Sequence, residues 1–390
     1  MKILLAPDSF KGSLSAVGVA LAMERGIKKA FPNSETICMP IGDGGEGTLE
    51  TLITATNGIT KQIKVTGPLG HEIMSEYGVL GDGKTCIIEM AKASGLALVD
   101  EKDLNPLKTT TYGTGELIRQ ALDDGYTSFI LALGGSATND GGVGMLQALG
   151  LKVVDVRGEE IGYGGGELAK VHRIDATKFD PRIQTSTFLI ASDVENPFVG
   201  PNGASHVFGP QKGATMDMVR TLDANLSHWG DCVENATGSR IHDVKGAGAA
   251  GGIGGAFQVF FPSEMRRGID VVIDHIGFHK AIDGADLVIT GEGQVDDQTA
   301  SGKTPMGVAQ AAQSYGIPTI ILAGSIGKGI EVLHRYGVVS VNSIINRPMT
   351  LHEAMENAGE LIEFSTEQVV RSYFCNHEFQ KRKVVLNNEN

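Results

Sequence analysis

The stretch that most constrains this chain is Gly134–Gly142, which reads Gly-Gly-Ser-Ala-Thr-Asn-Asp-Gly-Gly and is called the glycine loop below. An apolar run of strand length, Phe129–Leu133, precedes it, and Val143–Leu149 has the character of a helix start. The pattern therefore predicts a strand, a glycine-rich turn and a helix. Glycine lets the backbone come close to a ligand, and amides at a helix N-terminus attract anions. We expect an anion site here rather than a turn that is glycine-rich only because it is tightly folded.

The polar side chains of the glycine loop add groups that suit phosphate or Mg²⁺. Ser136 and Thr138 carry hydroxyls, Asn139 an amide and Asp140 a carboxylate. Hard oxygen ligands of this kind are those that Mg²⁺ prefers.

A second set of polar residues follows the buried strand predicted at Lys2–Ala6. Asp8, Ser9 and Lys11 come directly after it. In a parallel sheet, ligands bind beyond the carboxyl ends of the strands. Asp8 could act as a base or Mg²⁺ ligand, and Lys11 could neutralise an anion. A capping aspartate and a solvated lysine are equally consistent with this stretch alone.

Carboxylates also follow two other predicted strands. Asp193 comes after the apolar run Thr187–Ala191, and Asp43 and Glu46 come after Glu35–Met39. Acidic residues at a helix start are good dipole partners in their own right, so that role stays open for the second pair. Asp193 is placed at a strand end as Asp8 is.

The length of the chain and its glycine content limit the architectures that it can adopt. A chain of 390 residues exceeds one ordinary core, so two domains are expected. Glycine supplies 53 residues, about twice the usual share, and many tight loops suit an α/β enzyme. Between Lys61 and Met90, strand-like runs joined by short turns predict an antiparallel meander. We place domain boundaries near residues 60 and 285, which gives domains at 1–60 with 285–390 and at 61–284.

Net charge and cysteine spacing exclude several classes of protein. A formal net charge of −13 argues against nucleic acid or an anionic membrane surface as the main partner. No run of 18 apolar residues, no signal-peptide pattern and no C-x-x-C pair is present, which predicts a cytoplasmic protein with reduced thiols. An anionic ligand then needs a local cluster of positive groups. The glycine-flanked Lys212 in Phe208–Gly213 is a suitable anion contact, and a homodimer is left open.

A further glycine pattern, Gly246–Gly251, matches the dinucleotide fingerprint G-x-G-x-x-G. That fingerprint needs a strand directly before it and an acidic residue about 20 positions on. Arg240–Lys245 is a poor strand, although Asp270 lies near the required distance. We prefer a loop that allows close backbone approach. The alternatives are an NAD-dependent hydroxyacid dehydrogenase and a non-catalytic sugar-acid binding protein.

Seven motifs, taken together and in order, resemble the type I glycerate kinase family. The resemblance runs from residue 1 to about residue 375. The motifs are Ala6–Gly12, Asp43–Thr48, Val65–Gly70, Gly134–Gly142, Gly209–Gly213, Gly246–Gly252 and Thr290–Gly293.

The resemblance implies phosphorylation of D-glycerate from ATP with Mg²⁺. It implies 2-phospho-D-glycerate as product, with a glycerate 3-kinase as the alternative. It also implies an α/β fold in which a flavodoxin-like parallel-sheet domain is built from both chain ends and a large mixed α/β domain is inserted. Many members have an arginine where this chain has Gln294, which removes a cation at that position.

Phosphoryl transfer needs positioning, neutralisation of charge and a carboxylate for the hydroxyl proton. We expect the triphosphate at the glycine loop and Mg²⁺ on Asp193, with Asp140 second. Asp8 or Asp193 would accept the proton. Lys11, with Arg266 or Arg267, would pair with the substrate carboxylate. The predicted nucleotide contacts are Gly134, Gly135, Ser136, Thr138, Asn139, Gly141 and Gly142, and the predicted substrate contacts are Ser9, Arg266, Arg267 and Glu292.

Overall fold

The fold is described from a computed structural model that covers residues 1–42, 45, 47–297, 299 and 303–375. Asp43 and Glu46, two of the carboxylates expected at a strand end, lie outside the described residues. No helix in these described ranges is long and apolar enough to cross a membrane.

The described residues form thirteen strands and thirteen α-helices. The strands are β1 (Lys2–Leu5), β2 (Glu35–Cys38), β3 (Ile59–Thr66), β4 (Glu72–Val79), β5 (Thr85–Glu89), β6 (Ser128–Ala132), β7 (Lys152–Val154), β8 (Arg173–Asp175), β9 (Thr187–Ala191), β10 (Ser263–Arg266), β11 (Leu287–Val295), β12 (Thr319–Ile326) and β13 (Val338–Ser343). The helices are α1 (Ala16–Ala30), α2 (Thr48–Thr56), α3 (Ala91–Ser94), α4 (Tyr112–Asp123), α5 (Val143–Ala148), α6 (Ala204–Phe208), α7 (Met216–Thr237), α8 (Ala249–Phe260), α9 (Gly268–His275), α10 (Phe278–Ala281), α11 (Thr304–Ser314), α12 (Leu351–Glu356) and α13 (Ala358–Tyr373).

The chain divides into two compact units. The first comprises Met1–Gly42 and the chain from Val272 onward, and the second lies between them. These limits differ from the positions near 60 and 285 that the sequence suggested. Helix α2 packs on β4 and β5, so the segment before residue 60 joins the second unit.

The first unit is built on a five-stranded sheet in the order β13-β12-β11-β1-β2, with every pair parallel. This is the flavodoxin-like order. Successive residues of β12 face opposite sides: Ile320 and Leu322 join the core that holds α1 and α13, whereas Ile321 and Ala323 join the core under α11. Because both faces are covered by helices, the three central strands contain continuous buried runs, Ile3–Leu5 in β1, Leu287–Gly291 in β11 and Thr319–Ala323 in β12. Both chain ends contribute to this sheet, which confirms the predicted fold class.

The second unit contains a mixed sheet in the order β10-β9-β6-β5-β4-β3. Strands β5, β6, β9 and β10 are parallel, and β3, β4 and β5 form the antiparallel meander that the sequence predicted. A small antiparallel pair, β7 and β8, lies outside this sheet. One large apolar core, which includes Phe129, Trp229 and Phe257, fills the unit.

Candidate active site

Four parallel strands of the second unit end in one row. The last residues of β5, β6, β9 and β10 pair with one another across the sheet: Glu89 with Ala132, Ala132 with Ala191, and Ala191 with Arg266. Because the strands run in the same direction, the segments that follow them emerge at the same edge. The glycine loop follows β6 at this edge, as the sequence predicted.

The first residues of the glycine loop carry unpaired backbone donors. Within the described ranges, no acceptor lies in hydrogen-bond geometry to the amides of Gly134, Gly135 or Ser136. Gly134 is partly exposed and Gly135 is exposed. Two main-chain hydrogen bonds tie this segment to residues 94–96 and hold the amides in place. Fixed, unpaired amides of this kind form a concavity that binds anions.

The second half of the glycine loop is packed so closely that only glycine fits. A β-carbon on Gly141 would lie 2.7 Å from Cδ1 of Trp229, and one on Gly142 would lie 2.7 Å from Cβ of Ala256. Both residues also have left-handed backbones, with φ of +61° and +77°. These glycines therefore serve packing, and the part of the loop that a ligand can reach is its beginning.

The segment Gly246–Gly252 packs against the glycine loop. Residues 238–248 are turns and coil, so the strand that a dinucleotide fingerprint requires is missing before it. Ala250, Gly251 and Gly252 have left-handed backbones that kink the start of α8. Gly251 accepts a hydrogen bond from the Gly141 amide at 3.0 Å. These contacts confirm that the pattern marks close backbone approach.

Asp140 is buried and fixes the conformation of the glycine loop through hydrogen bonds. It is 1% exposed, and its oxygens accept hydrogen bonds from the amide and hydroxyl of Thr111, both at 2.8 Å, and from the amides of Gly142 at 3.2 Å and Gly144 at 3.4 Å. Burial raises the pKa of this carboxyl, and the hydrogen bonds from Thr111 act in the opposite direction. With its oxygens engaged by four donors, Asp140 is placed as a structural group, not at the accessible position expected of a metal ligand.

Lys212 lies under the glycine loop and was not among the predicted site residues, although its glycine-flanked motif indicated an anion contact. Its side chain is 1% exposed. The ammonium Nζ donates to Ser136 Oγ at 2.9 Å and to the Thr138 carbonyl at 2.6 Å. Thr138 and Asn139 are fully buried, and Asn139 Nδ2 donates to Ser205 Oγ at 2.9 Å. The Thr138 main chain and the Asn139 side chain therefore hold the loop.

Asp193 lies beyond the end of β9, next to the start of α9. The amide of Gly268, the first residue of α9, donates to Asp193 Oδ1 at 3.0 Å. The neighbouring Ser192 amide donates to the Arg266 carbonyl at 3.0 Å, which keeps the two chain segments together beyond the sheet. A carboxylate at a helix N-terminus is stabilised by the helix dipole. Asp193 thus lies exposed at the same sheet edge as the glycine loop, with one carboxylate oxygen held by the Gly268 amide.

Two arginines at the end of β10 also lie at this edge. Arg266 is the last residue of β10, and Arg267 follows it. The Arg267 guanidinium makes two hydrogen bonds with Asp270, from Nε at 2.8 Å and from Nη2 at 2.9 Å. A substrate carboxylate that binds Arg267 would have to replace the Asp270 carboxylate as the acceptor of these two hydrogen bonds.

In the first unit, Asp8 lies beyond β1 with donors on both oxygens. The Ser9 amide donates to Oδ1 at 2.6 Å, and the Thr304 hydroxyl donates to Oδ2 at 2.7 Å. The Lys11 side chain is exposed.

Glu292 and Gln294 both lie in β11. Glu292 accepts a hydrogen bond from the Thr299 hydroxyl. The Gln294 amide donates to Asp296 Oδ2 at 2.8 Å. The position where relatives were expected to have an arginine is thus occupied by a neutral side chain with an acidic neighbour.

A flavodoxin-like unit joined to a mixed α/β unit, with a glycine loop at the carboxyl ends of parallel strands, defines a class of phosphate- and nucleotide-binding α/β enzymes. A family model described as the glycerate kinase family matches residues 3–374. The chain therefore belongs to the glycerate kinase family and is a kinase. This assignment replaces the dehydrogenase and the non-catalytic binding protein that the sequence left open.

Individual relatives agree with the family model. The chain is 49% identical over 372 residues to a glycerate kinase of Bacillus subtilis, which covers 95% of this chain and 97% of the relative. It is 49% identical over 358 residues to the glycerate 2-kinase of Escherichia coli, which covers 92% and 94%. A crystal structure of a putative glycerate kinase 2 from Salmonella typhimurium superposes with a TM-score of 0.86 at 44% identity, and covers 97% of this chain and 99% of that one.

Proposed function

We propose that this protein transfers the γ-phosphoryl group of ATP to D-glycerate and that the product is 2-phospho-D-glycerate. Family membership supports glycerate as the acceptor. The name of the Escherichia coli relative, a glycerate 2-kinase, supports the 2-hydroxyl as the position that is phosphorylated. A glycerate 3-kinase remains the alternative product specificity.

The observation that carries the proposal is the group of unpaired amides at the start of the glycine loop. In the proposal, the amides of Gly134, Gly135 and Ser136 donate to phosphate oxygens of ATP. A donor set that is fixed before binding stabilises the charge that develops during phosphoryl transfer without reorganisation. Thr138, Asn139, Gly141 and Gly142 keep this donor set in place rather than contact the nucleotide.

The residues at this edge fit Mg²⁺ through Asp193. Mg²⁺ in kinase sites is bound through one or two carboxylates together with substrate phosphates and water. Asp193 supplies an exposed carboxylate at the sheet edge where the glycine loop begins, whereas Asp140 is only 1% exposed. When bound, the ion neutralises phosphate charge.

The remaining roles fall to residues at other strand ends. We propose Asp8 and Asp193 as the two candidates for the carboxylate that accepts the proton from the glycerate hydroxyl. Lys11 and Arg266 are proposed to pair with the glycerate carboxylate. Arg267 is proposed to do the same when its hydrogen bonds to Asp270 are broken. Ser9 and Glu292 are proposed to hydrogen-bond the glycerate hydroxyls. An acidic protein that binds two anions has to supply such positive groups locally.

The test is ADP formation from ATP, Mg²⁺ and D-glycerate, with the product isomer identified by phosphorus NMR. We expect D193N and D8N to lower kcat by at least about 100-fold each, in the range seen for loss of a general base. D217N is the matched control, because the Asp217 side chain is 92% exposed and pairs with its helix neighbour Arg220 on the surface.

Three results would contradict the proposal. Near wild-type turnover in both D193N and D8N would contradict the catalytic roles assigned to Asp193 and Asp8. Absence of glycerate-dependent ADP formation by the wild-type protein would contradict the proposed activity itself. A phosphorus NMR signal of 3-phosphoglycerate would contradict the proposed specificity for the 2-hydroxyl.

A further inference from the structure

Lys212 is fully buried, and the turn that carries it is closely packed against a neighbouring segment. It ends the 3-10 turn Pro210–Lys212, and Gly213 follows with a left-handed backbone (φ +88°). A β-carbon on Gly213 would lie 2.6 Å from the Leu104 carbonyl oxygen, so the turn is pressed against the neighbouring segment. Lysine is almost never fully buried without a partner that justifies it. Here its partners are two groups of the glycine loop, Ser136 and Thr138.

The chemistry of an ammonium group decides how these contacts are oriented. Ammonium is a donor only, so Ser136 Oγ must accept from Lys212. The Ser136 hydroxyl proton then points away from Lys212 and remains available to a second acceptor. Among the described residues, Lys212 is the only hydrogen-bond partner of this hydroxyl. The second bond from Nζ, to the Thr138 carbonyl, fixes the backbone two residues further along the loop.

We propose that Lys212 is the positioning residue of the anion site: its charged ammonium turns the Ser136 hydroxyl proton outward and holds the Ser136–Thr138 backbone so that the loop receives the phosphate groups of a nucleotide. This inference rests on the proposed function for the identity of the ligand. Lys212 acts through Ser136 and Thr138, and it also supplies a positive charge beneath a site on a protein whose net charge is −13.

The protonation state of Lys212 sets the orientation of Ser136. A neutral amine can accept a hydrogen bond, which would draw the Ser136 proton inward and remove a donor from the site. Burial lowers the pKa of the Lys212 ammonium to about 7, and the field of Asp140, the ionisable group of the loop that acts on it, opposes this change. A bound phosphate adds negative charge next to the ammonium and raises the pKa again. We therefore expect nucleotide binding at pH 7.5 to be coupled to uptake of a proton by Lys212.

Calorimetric titration of ATP with Mg²⁺ at pH 7.5, in buffers of different ionisation enthalpy, measures the affinity and the proton uptake together. The wild-type protein is expected to take up a fraction of a proton. K212M is expected to take up none and to raise the Kd for ATP by about 10- to 100-fold, as for loss of a hydrogen bond to a charged group. K170M is the matched control, because the Lys170 side chain is 59% exposed and pairs with Glu167 on the surface.

A double-mutant cycle separates positioning from a general structural role. If Lys212 acts through Ser136, the double variant K212M/S136A binds ATP about as weakly as K212M, so the two effects do not add. In steady-state assays, the KM for ATP rises more than kcat falls. S136A removes only a hydroxyl and keeps Lys212, so it tests the inference even where K212M does not fold: weaker ATP binding is expected, with proton uptake reduced.

The outcomes that overturn the inference differ from those that overturn the proposed function. A wild-type Kd and unchanged proton uptake in K212M, or full additivity with S136A, would show that Lys212 does not position the site while kinase activity stands. A wild-type Kd in S136A has the same meaning. Failure of the wild-type protein to bind ATP at all would overturn both.

Discussion

Substitution of Gly251 by alanine tests whether the glycine loop depends on the segment behind it. A β-carbon at Gly251 would lie 2.0 Å from the Thr138 carbonyl oxygen and 2.7 Å from Cα of Asn139. Both atoms are main chain and cannot rotate away as a side chain would. The loop or the start of α8 must therefore move to admit the methyl group.

Gly238 provides the matched control for this substitution. It ends α7 with φ of +77°, close to the +74° of Gly251, but a β-carbon there would meet nothing within 4 Å. The left-handed backbone costs an alanine about 1–2 kcal/mol at either position. Overpacking adds about 1–3 kcal/mol at Gly251 alone. The difference between the two variants isolates the contact with the glycine loop.

Thermal unfolding and ATP affinity give the two readouts. For a unit of 150–250 residues, each kcal/mol corresponds to about 2–4 °C in Tm, so G251A should melt below G238A by several degrees. G251A should also raise the KM for ATP, because the displaced Thr138 carbonyl is the one that Lys212 holds. Equal losses of stability and equal KM values in the two variants would refute the packing explanation.

Two further substitutions test charged groups of the second unit. D140N replaces an acceptor of four hydrogen bonds by an amide that also carries donors, so it should lower the free energy of unfolding by about 1–3 kcal/mol in urea titrations; a wild-type value would show that the carboxylate is not needed to order the loop. Asp124 accepts hydrogen bonds from Lys61 and Tyr77, and the Lys61 hydrogen bond is the main cause that lowers the pKa of Asp124 to about 2. A carboxyl group whose pKa is lower in the native than in the unfolded state stabilises the native state above the unfolded-state pKa of about 4, and this contribution is lost as the pH falls toward 2. D124N should therefore be less stable than wild type near neutral pH and should approach the wild-type stability in acid. Parallel acid-unfolding curves of the two proteins would contradict this assignment.

Local patterns were sufficient to predict the elements that carry the site. The apolar run Thr187–Ala191 is β9 without a change of boundary, and the glycine loop follows β6 as a strand, turn and helix. The parallel pairing of these strands then explains why Asp193 and the glycine loop share one edge. Such features depend on neighbours in sequence and on the general geometry of parallel sheets.

Roles that depend on distant contacts could not be derived in this way. The sequence offered Asp140 as a metal ligand, but its main donor, Thr111, is 29 residues away in sequence. Lys212 was recognised as an anion contact from its glycine-flanked motif, yet its partner Ser136 is 76 residues away. The first limit between the units lies after residue 42 and not near residue 60, because α2 packs on strands that follow it in the chain. Each of these facts comes from tertiary packing, which propensity and spacing do not encode.

The tight fit of Gly141 and Gly142 against Trp229 and Ala256 has a thermodynamic consequence for ligand capture. A flexible phosphate-binding segment loses conformational freedom each time it closes on its ligand, and that loss subtracts from affinity. Here the backbone is immobilised once, during folding, by neighbours that leave no room for alternative arrangements. Nucleotide association should therefore carry a small entropic penalty from the receptor, and selectivity among phosphate compounds should arise from shape that exists beforehand.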